Sequence, residues 1–182
     1  MKTRKLLLLA LFSLAIISCK DDNKKQDDVV APKKDVNEFF NVELDVVAPV
    51  EDNFTVYFTE DGTNKFTSDK AVWSGVKGQS ESQKVTLNLS EEIIPTNIRI
   101  DFGINKEQGD VILEKFKFNY YGKSFEGKGS DFLKYFVPND SVQTKIDEAK
   151  GTITFLKNPK KFFTPFYDPQ VSIQDEIKKI TK

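Results

Sequence analysis

The sequence predicts an all-β fold, a β-sandwich with one or two short helices. Several segments alternate apolar and polar residues with a period of two, which is typical of half-buried strands. Turn-forming pairs such as Asp61-Gly62 and Tyr121-Gly122 separate these segments at short intervals. The 16 Phe among 182 residues indicate an aromatic-rich core in a single domain.

Six segments carry the alternation and are predicted to be strands. They are residues 40–47, 53–60, 83–90, 97–103, 111–121 and 151–157. In the second, Tyr57 points away from the face that holds Phe58, because successive strand residues alternate sides. In the fifth, Ile112 is expected on the same face as Phe116.

Two segments have helical spacing instead. Residues 130–136 place three apolar side chains on one side, with Ser130 as a candidate N-cap. Residues 171–182 place isoleucines at i, i+4 and i+7, with Ser172 as a candidate N-cap and lysines near the C-terminal end. The second segment is either a helix packed on the sandwich or a fraying tail.

Residues 1–18 have the pattern of a secretory signal peptide. Lys2, Arg4 and Lys5 precede a run of about a dozen apolar residues, too short to span a bilayer as a helix. The run ends in Ile16-Ile17-Ser18-Cys19, which resembles the lipobox of bacterial lipoproteins. The resemblance implies cleavage before Cys19 and acylation of its sulfur and amino group, and two or more acyl chains anchor stably.

Residues 19–37 are read as the lipidated Cys and a flexible, charged tether, and residues 38–182 as the β-sandwich domain. The start of the tether, "CKDDNKKQDD", resembles the lipoprotein export signal of Bacteroidota-type bacteria. This resemblance implies an outer-membrane lipoprotein displayed on the cell surface. The periplasmic face of the outer membrane is the alternative.

Composition excludes several function classes. Removal of residues 1–18 takes away three basic residues and no acidic one, so the remainder is net negative and has no basic field for nucleic acid. The chain has no His, the commonest general base and metal ligand, and its only Cys is assigned to the lipid. Glycoside hydrolysis needs only two carboxylates and stays open, but the sequence favours a protein that is not an enzyme.

The run from Phe54 to Asn105 resembles a recurrent extracytoplasmic jelly-roll domain of bacterial envelope proteins. The resemblance lies in "FTVYF", the "SGVKG" step, "QKVTLNL" and "NIRIDFG", and it covers roughly residues 40–140. That domain is similar to galactose-binding-like and carbohydrate-binding-module sandwiches. The resemblance therefore implies a jelly roll and suggests glycan as ligand, without assigning ligand residues.

Three aromatic residues are candidate sugar contacts, because an exposed aromatic ring can stack on the apolar face of a pyranose. Trp73 is the only Trp and is expected in a loop between strands, where it either binds ligand or plugs one end of the core. Tyr57 is expected on the surface. Tyr120 and Tyr121 are expected at a strand end with one of the two exposed, and Tyr121 is the candidate. Each of the tyrosines could instead serve packing.

Arg99 and Asp101 are candidate hydrogen-bonding residues. They are two positions apart on the predicted strand 97–103 and therefore share its outer side. They could line a polar groove that binds hydroxyl groups. The alternative is a cross-strand ion pair on a solvated face.

No cofactor is expected, and a structural Ca²⁺ is a weak alternative at Asn105, Glu107 and Asp110, whose spacing fits no defined calcium loop. Asp140-Ser141-Val142 resembles the O-glycosylation site of the same bacterial group, with Ser141 as acceptor. The sequence thus predicts a membrane-anchored, non-catalytic protein that binds oligo- or polysaccharide or assists its handling. The alternative is a structural or adaptor lipoprotein that binds another cell-envelope protein.

Overall fold

Alternating apolar side chains bring the chain into a sandwich of two antiparallel sheets in the computed structural model. The structure describes residues 38–139, 143–156 and 164–182, so the predicted signal peptide and tether lie outside the described residues. The strands are β1 (Asn41–Ala48), β2 (Asp52–Thr59), β3 (Ala71–Val76), β4 (Gln79–Asn88), β5 (Asn97–Asp101), β6 (Val111–Tyr120), β7 (Lys123–Lys128), β8 (Phe136–Pro138), β9 (Gln143–Asp147), β10 (Thr152–Leu156) and β11 (Phe166–Pro169). A 3-10 helix covers Gly129–Lys134, and α1 covers Val171–Thr181.

The six-stranded sheet has the order β4-β1-β6-β10-β9, and β7 also pairs with β6. The long strand β6 pairs with both β10 and β7, which contact different parts of it: β10 pairs with residues 111–113 and β7 with residues 115–120. The five-stranded sheet has the order β3-β2-β5-β11-β8. The prediction of an all-β sandwich is confirmed.

The core between the sheets is rich in aromatic rings, as the Phe content indicates, and aliphatic side chains make up the rest. Phe102 lies 4.2 Å from Phe155, and Phe132 lies 4.6 Å from Phe136, measured between ring centroids. Each such pair adds roughly 0.5–1.5 kcal/mol beyond the burial of its area. Within the core, most of the aromatic rings therefore form one connected network of contacts.

The predicted facing of Ile112 is wrong. Leu113 pairs with Val46 and is fully buried, whereas Ile112 pairs with Val47 and is half-buried. The register shifts by one residue between Asp45 and Val46, opposite the segment between Leu113 and Lys115. This β-bulge changes the phase of the alternation within β6. Odd-numbered residues face the core before the bulge, and even-numbered residues face it after the bulge.

Both segments contain a helix, although the first is a 3-10 helix that ends at Lys134 and leaves Phe136 to β8, and neither serine caps its helix. Lys128 is the N-cap residue of the 3-10 helix and Gln170 that of α1, and neither makes a side-chain capping bond. Ser172 Oγ instead donates a hydrogen bond to the carbonyl oxygen of Lys134, at 2.6 Å. Helix α1 is not a fraying tail, because its isoleucines 173, 177 and 180 are buried against the sandwich.

The β6–β7 hairpin has a two-residue turn formed by Tyr121 and Gly122. Both residues have positive φ, 45° and 77°, as a tight hairpin turn of the type I′ class requires. Tyr121 is 52% exposed at this turn. Among the residues described, none of the helices is both long and apolar enough to cross a membrane.

Candidate functional site

The candidate site lies on the side of the five-stranded sheet that faces away from the core. Phe54 and Val56 of β2 point into the core, so Thr55 and Tyr57 point outward. The strand register then arranges outward residues in two rows that cross the sheet. The first row is Trp73, Thr55, Asp101 and Phe166, and the second is Ala71, Tyr57, Arg99, Asp168 and Val137. These nine residues are called the Trp73 face below.

An ion pair between Arg99 and Asp101 lies at the centre of this face. Arg99 Nε donates a hydrogen bond to Asp101 Oδ1 at 2.8 Å, and Arg99 Nη2 donates another to Asp101 Oδ2 at 2.8 Å. The side chains are only 20% and 8% exposed. The expectation that the two residues share one side of β5 is correct, but the pair is neither cross-strand nor solvated.

Three aromatic rings surround the guanidinium group of Arg99. Its carbon atom Cζ lies 4.2 Å from the ring centroid of Tyr57 and 4.5 Å from that of Phe166. Phe66, in the segment between β2 and β3, is 5.7 Å away. These distances fall within the range of cation–π attraction. Arg99 is therefore held by hydrogen bonds and by rings, which fixes its position on the face.

Two carboxylates on the face differ in their partners. Burial raises the pKa of Asp101 above its usual value, although the hydrogen bonds and charge of Arg99 act in the opposite direction. Burial also raises the pKa of Asp168, against the attraction of Arg99. Asp168 is half-buried, and among the described residues its carboxylate receives no hydrogen bond. It is therefore the carboxylate that is available to a ligand.

Trp73 lies in strand β3 rather than in a loop, and it does not plug the core. The side chain is 49% exposed. Its ring meets that of Tyr57 edge to face, with centroids 6.5 Å apart and an interplanar angle of 69°. The loop prediction failed because β3 is a short edge strand in which Gly75 and Ser74 weaken the alternation of apolar residues.

Thr55 is the most deeply buried outward residue of the first row, at 1% exposure. It pairs with Trp73 on one side and with Asp101 on the other. Its Oγ1 atom has no hydrogen-bond partner among the described residues. The hydroxyl is therefore an unsatisfied polar group beneath the face, and such groups cost about 1–3 kcal/mol.

The structure brings together four of the predicted ligand residues, Trp73, Tyr57, Arg99 and Asp101. Tyr121 is separate, because its hairpin belongs to the six-stranded sheet. Cys19 and Ser141 lie outside the described residues.

Sequence reasoning missed Phe66, Phe166, Asp168 and Thr55. The stretch Phe166-Tyr167-Asp168 alternates sides around the buried Tyr167, and this short pattern could have indicated a strand. Only its pairing with β5 places Phe166 and Asp168 beside Asp101 and Arg99.

The loop proposed as a weak calcium site is held by hydrogen bonds of its own. Asn105 Nδ2 donates to the carbonyl oxygen of Glu51 at 2.8 Å, and Asn105 Oδ1 accepts from the backbone N–H of Glu107 at 2.9 Å. The buried Asp52 carboxylate accepts from the N–H groups of Ile104 and Asn105, at 2.8 and 3.0 Å. In the described part of the chain no group of three or more acidic, His or Cys side chains is placed to hold a metal ion.

Comparisons of the chain with protein-family models, with curated proteins and with solved structures found no match. The chemistry of the Trp73 face therefore follows from its own residues. The face combines an exposed aromatic ring, a rigid polar centre and one accessible carboxylate.

Proposed function

We propose that this protein is an outer-membrane lipoprotein, anchored through Cys19 and displayed on the cell surface, which binds glycan without catalysis through the Trp73 face. The observation that carries the proposal is the half-exposed ring of Trp73, on the same sheet surface as Arg99, Asp101 and Asp168. A pyranose has an apolar C–H face and polar edges, so it needs both kinds of surface.

The rigidity of the face supports binding. Trp73, Tyr57 and Asp168 belong to strands rather than to loops. The contact between the Trp73 and Tyr57 rings limits the rotation of the exposed indole. A site whose side chains are already ordered loses less entropy when it binds, and this favours a measurable affinity even for a small contact area.

The arrangement of the carboxylates favours binding over catalysis. A glycosidase needs one carboxyl group to donate a proton and another to act as nucleophile or base. Asp101 is 5% exposed and its oxygens accept hydrogen bonds from Arg99, so it is poorly placed to meet a glycosidic bond. Asp168 alone does not provide the pair.

A glycan array probed with the full-length protein in detergent tests the proposal, with hits confirmed by calorimetry. Trp73→Ala should lower the affinity for the bound glycan about tenfold or more, equivalent to about 1.4 kcal/mol. Tyr121→Asn is the matched control, because it removes an exposed aromatic ring from the other sheet and Asn tolerates positive φ. Affinity lost only in Trp73→Ala supports the proposal. A folded protein that binds no glycan, or a Trp73→Ala variant with unchanged affinity, overturns it.

The alternative is an adaptor that binds another envelope protein through a sheet edge. Strand β9 is the terminal strand of the six-stranded sheet, and its Ile146 is exposed. The strand is only five residues long and carries Lys145, features that proteins use to prevent edge-to-edge pairing. The Trp73 face is therefore the preferred site, and a negative glycan screen would shift attention to β9.

A further inference from the structure

Two ligand-accessible groups of the Trp73 face, the Trp73 indole and the Asp168 carboxylate, lie on strands that are not neighbours. Trp73 is on β3 and Asp168 on β11, with β2 and β5 between them. Three interstrand spacings of about 4.8 Å place the two strands about 14 Å apart. One pyranose ring is much shorter than this distance and cannot contact both groups.

The part of the face between Trp73 and Asp168, called the strip below, is occupied by the side chains of Tyr57, Arg99 and Phe166. Tyr57 and Arg99 are paired across β2 and β5, and the Arg99 guanidinium contacts the rings of Tyr57 and Phe166. The hydrogen bonds that Arg99 donates go to Asp101. The side chains of this strip are therefore held in place before a ligand binds.

The charged groups between Trp73 and Asp168 indicate which ligand groups Asp168 can bind. The described charged groups of the strip and its Asp168 end are one guanidinium and two carboxylates, and the guanidinium already donates two hydrogen bonds to Asp101. A carboxylate accepts hydrogen bonds and donates none, so Asp168 requires a partner with hydroxyl or ammonium donors. A sugar carboxylate or sulfate at this point would face like charge.

On the basis of the proposed function, we infer that the ligand is an extended oligosaccharide that crosses β3, β2, β5 and β11. One sugar unit stacks on Trp73, and another, uncharged or amine-bearing, donates hydrogen bonds to Asp168. Asp168 is the specificity-determining residue of this site. Arg99 is a positioning residue, because it holds Asp101 and the rings in place.

A chain-length series tests the extended site. The probes are β-1,4-linked glucose, glucosamine and N-acetylglucosamine oligomers of one to six units, α-1,4-linked galacturonate oligomers of the same lengths, and the length series of any array hit. Affinity of the full-length protein should rise at least tenfold from one unit to the length that reaches Asp168, and then stop rising. Galacturonate oligomers should bind more weakly than neutral or amine-bearing ones.

Two variants separate the ends of the site. Asp168→Asn should lower the affinity for the longer oligomers severalfold and reduce the discrimination against galacturonate. Trp73→Ala should lower the affinity for a single unit and for the longer oligomers alike. The control is Asp147→Asn, which changes a partly exposed carboxylate on β9 of the other sheet.

The outcomes distinguish the two proposals. Glycan binding that depends on Trp73 but has the same affinity for one unit as for six overturns the extended site and leaves the proposed function standing. An Asp168→Asn variant with unchanged length dependence and unchanged selectivity also overturns it. No binding at any length overturns the proposed function itself.

Discussion

Arg99 and Asp101 lie two residues apart on β5 and share two hydrogen bonds of 2.8 Å under a cover of aromatic rings. An ion pair so close to a candidate binding surface could be read as a ligand contact. Both side chains are mostly buried, however, and each satisfies the other. The pair is better understood as the support on which the Trp73 face is built, and this determines how variants of the face should be designed.

Arg99→Ala is expected to destabilise the protein, because it leaves the Asp101 carboxylate buried without its partner. Removal of one member of a buried pair typically costs about 3–5 kcal/mol. Chemical denaturation of the purified protein measures the loss. Lys84→Ala is the control, because Lys84 pairs with Glu43 and Asp45 on an exposed surface where such pairs contribute roughly 0–1 kcal/mol. An Arg99→Ala variant as stable as the Lys84→Ala variant would contradict the supporting role of the ion pair. The stability of a variant at Arg99 or Asp101 must therefore be measured before the variant is used to test sugar binding.

Thr55→Val is expected to stabilise the protein by about 1 kcal/mol, because it replaces an unpaired buried hydroxyl with a methyl group of similar shape. The matched control is Thr59→Val on the same strand. Thr59 is also buried, but its Oγ1 donates a hydrogen bond to the carbonyl oxygen of Thr63 at 2.6 Å, so its loss should destabilise the protein. Thermal unfolding of both variants gives the comparison. Equal effects of the two substitutions would show that Thr55 is satisfied in solution.

Asp168→Asn should change how stability depends on pH. The raised pKa of Asp168 means that the folded state binds its proton more tightly than the unfolded state. The free energy of unfolding therefore falls as the pH rises from 3.8, the ordinary pKa of an Asp carboxyl, to the raised pKa of Asp168 in the folded protein. The variant lacks this contribution, so it should be at least as stable as the parent at pH 7, and its advantage should shrink as the pH is lowered toward 3.8.

Asp61→Asn provides a control of opposite sign. Hydrogen bonds from Thr63 lower the pKa of Asp61, so its ionised form stabilises the fold. The variant should be less stable than the parent at pH 7, and the difference should disappear as the pH falls below 3.8. Urea denaturation at several pH values measures both effects. A difference that does not vary with pH would contradict the assigned pKa direction.

Gly103→Ala is expected to destabilise the protein by about 2 kcal/mol or more, since an added Cβ meets both an unfavourable φ and a fixed neighbour. Gly103 has a φ of 105°, and a Cβ there would overlap the carboxylate of Asp52. Gly62→Ala isolates the backbone effect, because Gly62 has a φ of 77° and a Cβ added there would meet no described atom within 4 Å. Denaturation of both variants should show the larger loss for Gly103. Equal losses would mean that the Asp52 carboxylate moves aside easily.

Acylation at Cys19 is expected from the sequence and has a direct measurement. The intact mass of the membrane-extracted protein should correspond to cleavage before Cys19 plus the mass of the acyl chains. Cys19→Ser should abolish both the cleavage and the added mass, since the sulfur is the attachment point. An unmodified thiol in the extracted protein would contradict the lipoprotein assignment and, with it, the proposed location.

The sequence was sufficient for the sandwich because most strands bury one face and expose the other. Alternation fails where a single residue changes its phase, as at the bulge before Phe116, and where a strand is short, as in β3 and β11. Part of the candidate site could be predicted, because aromatic residues stand out in the sequence and Arg99 and Asp101 are two positions apart. Phe166 and Asp168 join the site only through the pairing of β11 with β5, which no local pattern specifies.

The pairing of β1 with β6 has a consequence for how the chain folds while it is being synthesised. Asn41 pairs with Asn119, which lies 78 positions later in the sequence. Strand β1 therefore lacks its β6 partner until the chain has been synthesised well past β5. Pairings between distant segments form slowly, and an unpaired edge is prone to association while it waits. A nascent chain that ends before residue 111 would therefore present β1 with its β6 edge open, and it would be most prone to associate with other chains in that interval.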